Sequence, residues 1–243
     1  PVACDEKPGK ISDMFKALFK NDQAMTVVVS IILVYTSLNI CGNLVLYFFR
    51  FDVGNDGAYS IFAAVAFAAQ VLVMMVIPLF RKRFSKSQLF ISGFIIQIAG
   101  FAVILIMAFA KLYTPQSWYI LCLPVILIYL GYGMLNVIMT IFLSDSVDYG
   151  EVMNGTREES VIFSMQTFTV KLASGVAVFL AGLVVDWIHL DTAAAVQTQD
   201  TLDDLRMWMT IPSVILLIVG IFVFKRFYKL DDTRMEEIKS KLN

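Results

Sequence analysis

Apolar residues run along this chain in long unbroken stretches rather than in alternation. Ala24–Phe49, Ala58–Phe80, Ser87–Ala110, Leu112–Ser144 and Met207–Phe224 contain no charged side chain, and Ser160–Val185 contains one, Lys171. A hydrocarbon layer about 30 Å thick needs roughly 20 residues of helix to cross it. Strands are excluded, because the runs do not alternate and an open sheet edge cannot survive in lipid. The pattern predicts an all-α integral membrane protein with six transmembrane helices. Their expected spans are about 24–49, 58–80, 87–110, 118–144, 160–185 and 207–228, framed by a leader over 1–23 and a tail over 229–243. The fourth run is too long for one perpendicular helix, and Pro115 and Pro124 place the start of the helix proper near Trp118.

Composition agrees. The chain is 58% hydrophobic and 16% charged, with a mean hydropathy of +0.75, whereas soluble domains run near 25% charged. A net charge of −1 excludes a strongly basic nucleic-acid binder. Cys4, Cys41 and Cys122 show no metal-ligand or redox spacing and read as small packing residues. The chain opens at Pro1, and its first segment lacks the apolar core and cleavage site of a signal peptide, so a piece of something longer is expected.

Charge gives the orientation. Basic residues gather in the leader, in "RKRFSK" after the second span (Arg81, Lys82, Arg83, Lys86), at Arg157, and in the tail. The opposite side holds only Arg50, Lys111 and Arg206. By the positive-inside rule both ends of the chain are expected in the cytoplasm. "DWIHLDTAAAVQTQDTLDDL" then becomes the longest external loop, and its His189 reads as a surface residue.

Lys171 stands near the middle of the fifth span. A charge there is expensive and usually faces a bundle interior or an aqueous cavity. Ser164, Thr167, Lys171 and Ser174 share one stripe of the helix, and Ala173, Ala177 and Ala181 form a small-residue row on another. No other span carries an acid, every Asp and Glu being expected at a helix end or in a loop. Either Lys171 is satisfied by nearby hydroxyls and carbonyls or is deprotonated, or its counter-charge lies outside this sequence, on another protein segment, a second copy or an anionic substrate. Asn39, Asn43 and Asn136 read equally as interhelical glue or as ligand contacts, while Gln70 and Gln97 read as glue.

"FLSDSVDYGEVMNGTREES" closes the fourth span. Asp145, Asp148 and Glu151 share a face, and Gly150, Asn154 and Gly155 are expected to break the helix before Arg157. No nucleophile, metal-ligand set or phosphate loop accompanies these acids, so catalysis is not expected. A solvated terminus paired to Arg157 is one reading. Ion pairs at a cytoplasmic gate are the preferred one, because acids at a helix C-terminus oppose its dipole.

"KNDQ", "DSVDYGE", "SMQTFTVKLASG" and "FKRFYKL", in this order, resemble the glycoside–pentoside–hexuronide:cation symporters, the melibiose-permease family of the major facilitator superfamily. The resemblance covers essentially the whole chain, in register with the C-terminal six-helix half-bundle of a twelve-helix transporter. It implies sugar uptake coupled to Na⁺, Li⁺ or H⁺ by alternating access. It further implies a partner N-terminal six-helix half supplying most of the cation site and the charge opposite Lys171, with no other cofactor. Lys171, Thr167 and Gln166 match positions beside the sugar, although Gln166 lies about 140° around an ideal helix from Lys171. Asp145, Asp148, Glu151 and Arg157 match a cytoplasmic gate, and Arg81 and Arg83 fall in the basic loop that closes against acids or helix ends. Asn136 stands where the melibiose branch has an aromatic residue, which leaves a pentoside, another glycoside or a hexuronide open. Rival readings are a lysolipid symporter of the same fold, a membrane-embedded enzyme using Asp145, Asp148 and Lys171, and a six-helix scaffold or channel.

Overall fold

The computed structural model describes residues 19–155 and 159–242. Six helices long and apolar enough to cross a membrane are present among them. They are α1 (Asp22–Tyr47), α2 (Ala58–Phe80), α3 (Lys86–Phe109), α4 (Cys122–Asn154), α5 (Glu159–Trp187) and α6 (Gln199–Phe227), and a shorter α7 (Asp232–Leu242) follows. A π-helical turn, Phe48–Val53, prolongs α1, and a 3₁₀ turn, Trp118–Leu121, leads into α4. The described residues contain no strand.

Local sequence explains the ends. The Asn21 side chain accepts from the backbone N–H of Ala24 at 3.0 Å and starts α1. Ser85 and Gln88 form a reciprocal capping box at α3, and Thr198 caps α6 by accepting from the Thr201 N–H at 3.2 Å. Gly155, at φ 72°, ends α4 in a left-handed conformation that a side chain would resist, and its N–H bonds the Glu151 carbonyl.

Boundaries differ from expectation in three places. The fourth helix runs ten residues past Ser144, through Gly150, and stops only at Asn154. The sixth starts at Gln199 rather than Met207, so the long polar loop shrinks and its acidic end is helical. Part of the tail forms α7, which rests on α4 through Leu230, Met235 and Ile238 against Tyr149, Val152 and Tyr228. In each case charged residues lowered the apparent hydropathy of a segment that nonetheless closes helical hydrogen bonds.

α1 is the most buried of the six spans and α5 the least. α1 packs on α4, α5 and α6; α4 also holds α2 and α3, and α3 in turn meets α6. Ala173, Ala177 and Ala181 are buried as α5 packs on α1, the role expected of a small-residue row. The tightest crossing joins α3 to α4, where a Cβ added at Gly131 would stand 2.5 Å from the Gly93 carbonyl oxygen. Rings of Phe90, Phe142, Phe224 and Tyr228 stack at one end of the bundle, with centroids 4.4–5.2 Å apart. Phe67, Leu72, Met75, Ile215 and Phe222 are exposed on the outside of the bundle, as apolar side chains of a membrane-spanning helix can be. Cys41 is buried and Cys122 half-buried, both as free thiols, and Cys4 lies outside the described residues.

Candidate functional site

The least buried span carries the lone intramembrane charge. Lys171 is exposed on α5, on the side turned away from the Ala173–Ala177–Ala181 row. Among the described residues it has no hydrogen-bond or ion-pair partner. Ser164 and Thr167 are exposed on the same stripe, with the Thr167 hydroxyl donating to the Phe163 carbonyl at 3.2 Å. Gln166 is half-buried. No carboxylate among the described residues forms an ion pair with Lys171; the one acid on its stripe, Asp186, stands fifteen residues further along α5.

Three asparagines within the spans are half-buried and spend their amide hydrogens in two ways. The Asn39 amide donates to the Tyr35 carbonyl at 2.7 Å and the Asn43 amide to the Asn39 carbonyl at 2.7 Å, both one turn back on α1. The Asn136 amide crosses from α4 to the Tyr35 hydroxyl at 2.8 Å, beside the edge of Tyr132. Asn136 therefore ties two helices together. The amide oxygens of all three take no partner among the described residues. Gln70 reaches only the Met74 sulfur at 4.0 Å, and Gln97 is fully buried with neither polar atom paired, so neither amide bridges two helices. Gln97 faces Gly131 of the α4 helix at close range.

At the α7 end of the bundle the acids meet the basic segment that follows α2. Asp145 forms a close ion pair with Lys86 at the start of α3, both side chains more than nine-tenths buried. Lys86 also lies 3.5 Å from Asp232 on α7, which in turn pairs with Arg81 at 3.4 Å. Asp145 is thus an interior residue of α4 held by Lys86 rather than a solvated helix-terminal acid. Arg157 lies outside the described residues. Asp148 and Glu151 are half-buried further along α4, and Arg83 is exposed. Behind the pair, the Tyr228 phenol is buried without a partner, and burial together with the charges of Asp145, Asp232 and Asp231 pushes its pKa upward.

The opposite end holds a second buried ion pair. Arg206 on α6 takes Asp52 of the π-helical turn in a two-pronged grip, with Nε and Nη2 at 2.8 and 2.5 Å from the two carboxylate oxygens. Its Nη1 donates to Asp203 at 2.6 Å, and the Tyr113 hydroxyl donates to Asp52 at 2.7 Å. Burial first, and then the Asp52 charge, push the Tyr113 phenol upward. Asp52 lies at a helix end, as expected, but is buried there against Arg206. The Asp203–Arg206 spacing was the only local sign of this cluster.

Among the described residues Asp145 is engaged by Lys86 and forms no ion pair with Lys171. Among the described residues no group of three His, Cys, Asp or Glu could hold a metal ion.

Residues 3–232 match the family described as MFS/sugar transport protein. The chain is similar to the uncharacterized symporter YjmB of Bacillus subtilis strain 168, at 25% identity over 96% of this chain and 49% of that protein. It is also similar to the raffinose carrier protein of Pediococcus pentosaceus, at 22% identity over 96% of this chain and 35% of that protein. A third relative, the isoprimeverose transporter of Lactiplantibacillus pentosus, is 25% identical over 91% of this chain and 44% of that protein. The chain therefore spans between about a third and a half of the length of these relatives. A six-span helical bundle with one uncompensated charge on an open face, matched to that family along nearly its whole length, is a multi-pass membrane protein: the chain belongs to the MFS/sugar transport protein family.

Proposed function

We propose that this chain is the C-terminal half of a sugar:cation symporter, carrying a glycoside, pentoside or hexuronide into the cell by alternating access. The observation that carries the reading is Lys171: a full charge in the middle of a span, on an open face, without a counter-ion among the described residues. In this reading that face closes against an N-terminal six-helix half, whose acids supply the missing negative charge and hold the coupling Na⁺, Li⁺ or H⁺. Midplane binding between two such halves is the general arrangement of secondary transporters. Thr167, Gln166, Asn39, Asn43 and Asn136 contribute polar contacts to the sugar from this half, Asn136 by hydrogen bonding rather than stacking. The free amide oxygens of the three asparagines support that role. Both ends of the chain face the cytoplasm, so the Lys86–Asp145–Asp232–Arg81 cluster, with Asp148, Glu151, Arg83 and Arg157, lies at the cytoplasmic gate.

Lys171→Ala in the full-length transporter tests this. Uptake of raffinose, isoprimeverose and a glucuronide is followed in right-side-out vesicles under Na⁺ and H⁺ gradients. Loss of cation-dependent accumulation with normal membrane insertion supports the role given to Lys171, and undiminished accumulation removes it. A glucuronide outcompeting the neutral sugars identifies its carboxylate as the partner of the ammonium.

A further inference from the structure

The face of α5 that bears Lys171 does not stop at midplane. Counting along the helix from Lys171, Gly175, Val178, Gly182 and Asp186 fall within about 60° of the same direction. Asp186 stands fifteen residues on, about 22 Å further along the axis. There the stripe meets the last turns of α1 across a groove of about 520 Å³ lined by Asn43, Tyr47, Phe179, Gly182 and Asp186, among others. Asn43 and Tyr47 stand one turn apart and continue the row begun by Asn39.

The groove has the fittings of a polyhydroxyl site. The Asp186 carboxylate has no side-chain partner among the described residues and can accept from two vicinal hydroxyls. Asn43 spends one amide hydrogen on the Asn39 carbonyl and keeps its oxygen and its second hydrogen. The Tyr47 hydroxyl is likewise unengaged among the described residues. The Phe179 ring, 66% exposed, offers an apolar face to the C–H side of a pyranose. Gly182 leaves the floor open, since nothing lies within 4 Å of where its Cβ would stand. Apolar walls with a few convergent polar groups are the usual make-up of a small-molecule site.

We propose that this groove is a second sugar-binding site, an outer vestibule that holds the substrate before it reaches Lys171. It rests on the symporter reading above, which sets the Asp186 end on the external side. A neutral sugar ring, alone or as the leading unit of a longer sugar, fits it, with Asp186 and Asn43 bridging adjacent hydroxyls and Phe179 beneath the ring.

The test uses the full-length transporter in right-side-out vesicles, with whichever of raffinose, isoprimeverose or a glucuronide the parent accumulates. Asp186→Asn removes the charged acceptor, and Gly182→Leu fills the groove without a clash in the bundle. Each is expected to raise the external KM about tenfold, the loss that goes with one hydrogen bond to a charged group. In a Gly182→Cys protein, a membrane-impermeant maleimide is expected to alkylate the thiol, and the sugar to slow that reaction. If Asp186→Asn does not insert, Gly182→Leu and the alkylation carry the test. An external KM within about twofold of the parent for Gly182→Leu overturns the vestibule and leaves the symporter reading intact. So does a thiol that the reagent never reaches, because protein then covers the groove. A parent that accumulates none of the three sugars overturns the symporter reading, and the vestibule falls with it.

Discussion

Arg206 holds Asp52, a residue 154 positions earlier in the chain, by two hydrogen bonds inside the bundle, with only 2% of the arginine side chain and 5% of the aspartate exposed. Neither group can be removed alone without stranding the other's charge. Arg206→Ala or Asp52→Ala is expected to destabilise the protein by about 3–5 kcal/mol, the usual consequence of breaking one side of a buried pair. Thermal unfolding in detergent reads this. The double variant is expected to lose less than the sum of the two, and additive losses would contradict the pairing.

Lys86 and Asp145 lend themselves to the reverse experiment. Lys86→Met alone leaves a buried carboxylate without its cation and is expected to lose about 3–5 kcal/mol. Pairing it with Asp145→Leu restores a neutral, well-filled contact and is expected to recover most of that loss. A double variant as unstable as the single one would show that the local packing, rather than the charge, fixes α3 against α4.

Gly131 tests the α3–α4 crossing. A methyl group there meets the Gly93 carbonyl at 2.5 Å and the Gln97 amide nitrogen at 2.6 Å, both backbone atoms that cannot swing aside. Gly131→Ala is expected to lower stability by about 1–3 kcal/mol through overpacking. Gly182→Ala, with open space around it, is expected to change stability by less than about 0.5 kcal/mol. Circular dichroism melts of the two proteins side by side decide the matter.

Alkali probes the buried phenols of Tyr113 and Tyr228. Tyr113 and Tyr228 both have folded pKa values above the ordinary phenol value, so the folded state keeps protons that the unfolded chain releases. Stability is therefore unaffected below about pH 10 and falls as pH rises past it, by at most about 1.4 kcal/mol per pH unit for each tyrosine. Melting temperatures from pH 8 to 11 are expected to turn downward near pH 10, with a shallower slope in Tyr113→Phe and Tyr228→Phe. An unchanged slope in both variants would refute the assignment.

The spans were legible because an unbroken apolar run has one outcome in lipid, and Ala58–Phe80 was read to the residue. Lys171 was legible for the same reason, as a charge within such a run has nothing local to compensate it. What escaped was pairing over distance. Lys86 is 59 residues from Asp145, and Arg206 is 154 from Asp52, so no window of sequence contains both partners. A charge-free run ends at Ser144 and another begins at Met207, so hydropathy stops short of the helical turns whose charges are paired across the bundle. The fate of the asparagines was equally hidden, because an amide's choice between its own backbone and a tyrosine across the bundle depends on packing alone.

α1 is fastened at both extremities. Asn21 donates to the Ser146 carbonyl of α4 at 2.7 Å at its start, and Asp52 is gripped by Arg206 of α6 just past its finish. A rod pinned to two different neighbours at its two tips cannot slide lengthwise or pivot on its own. It is built as a strut, expected to carry a push from one rim of the bundle to the other.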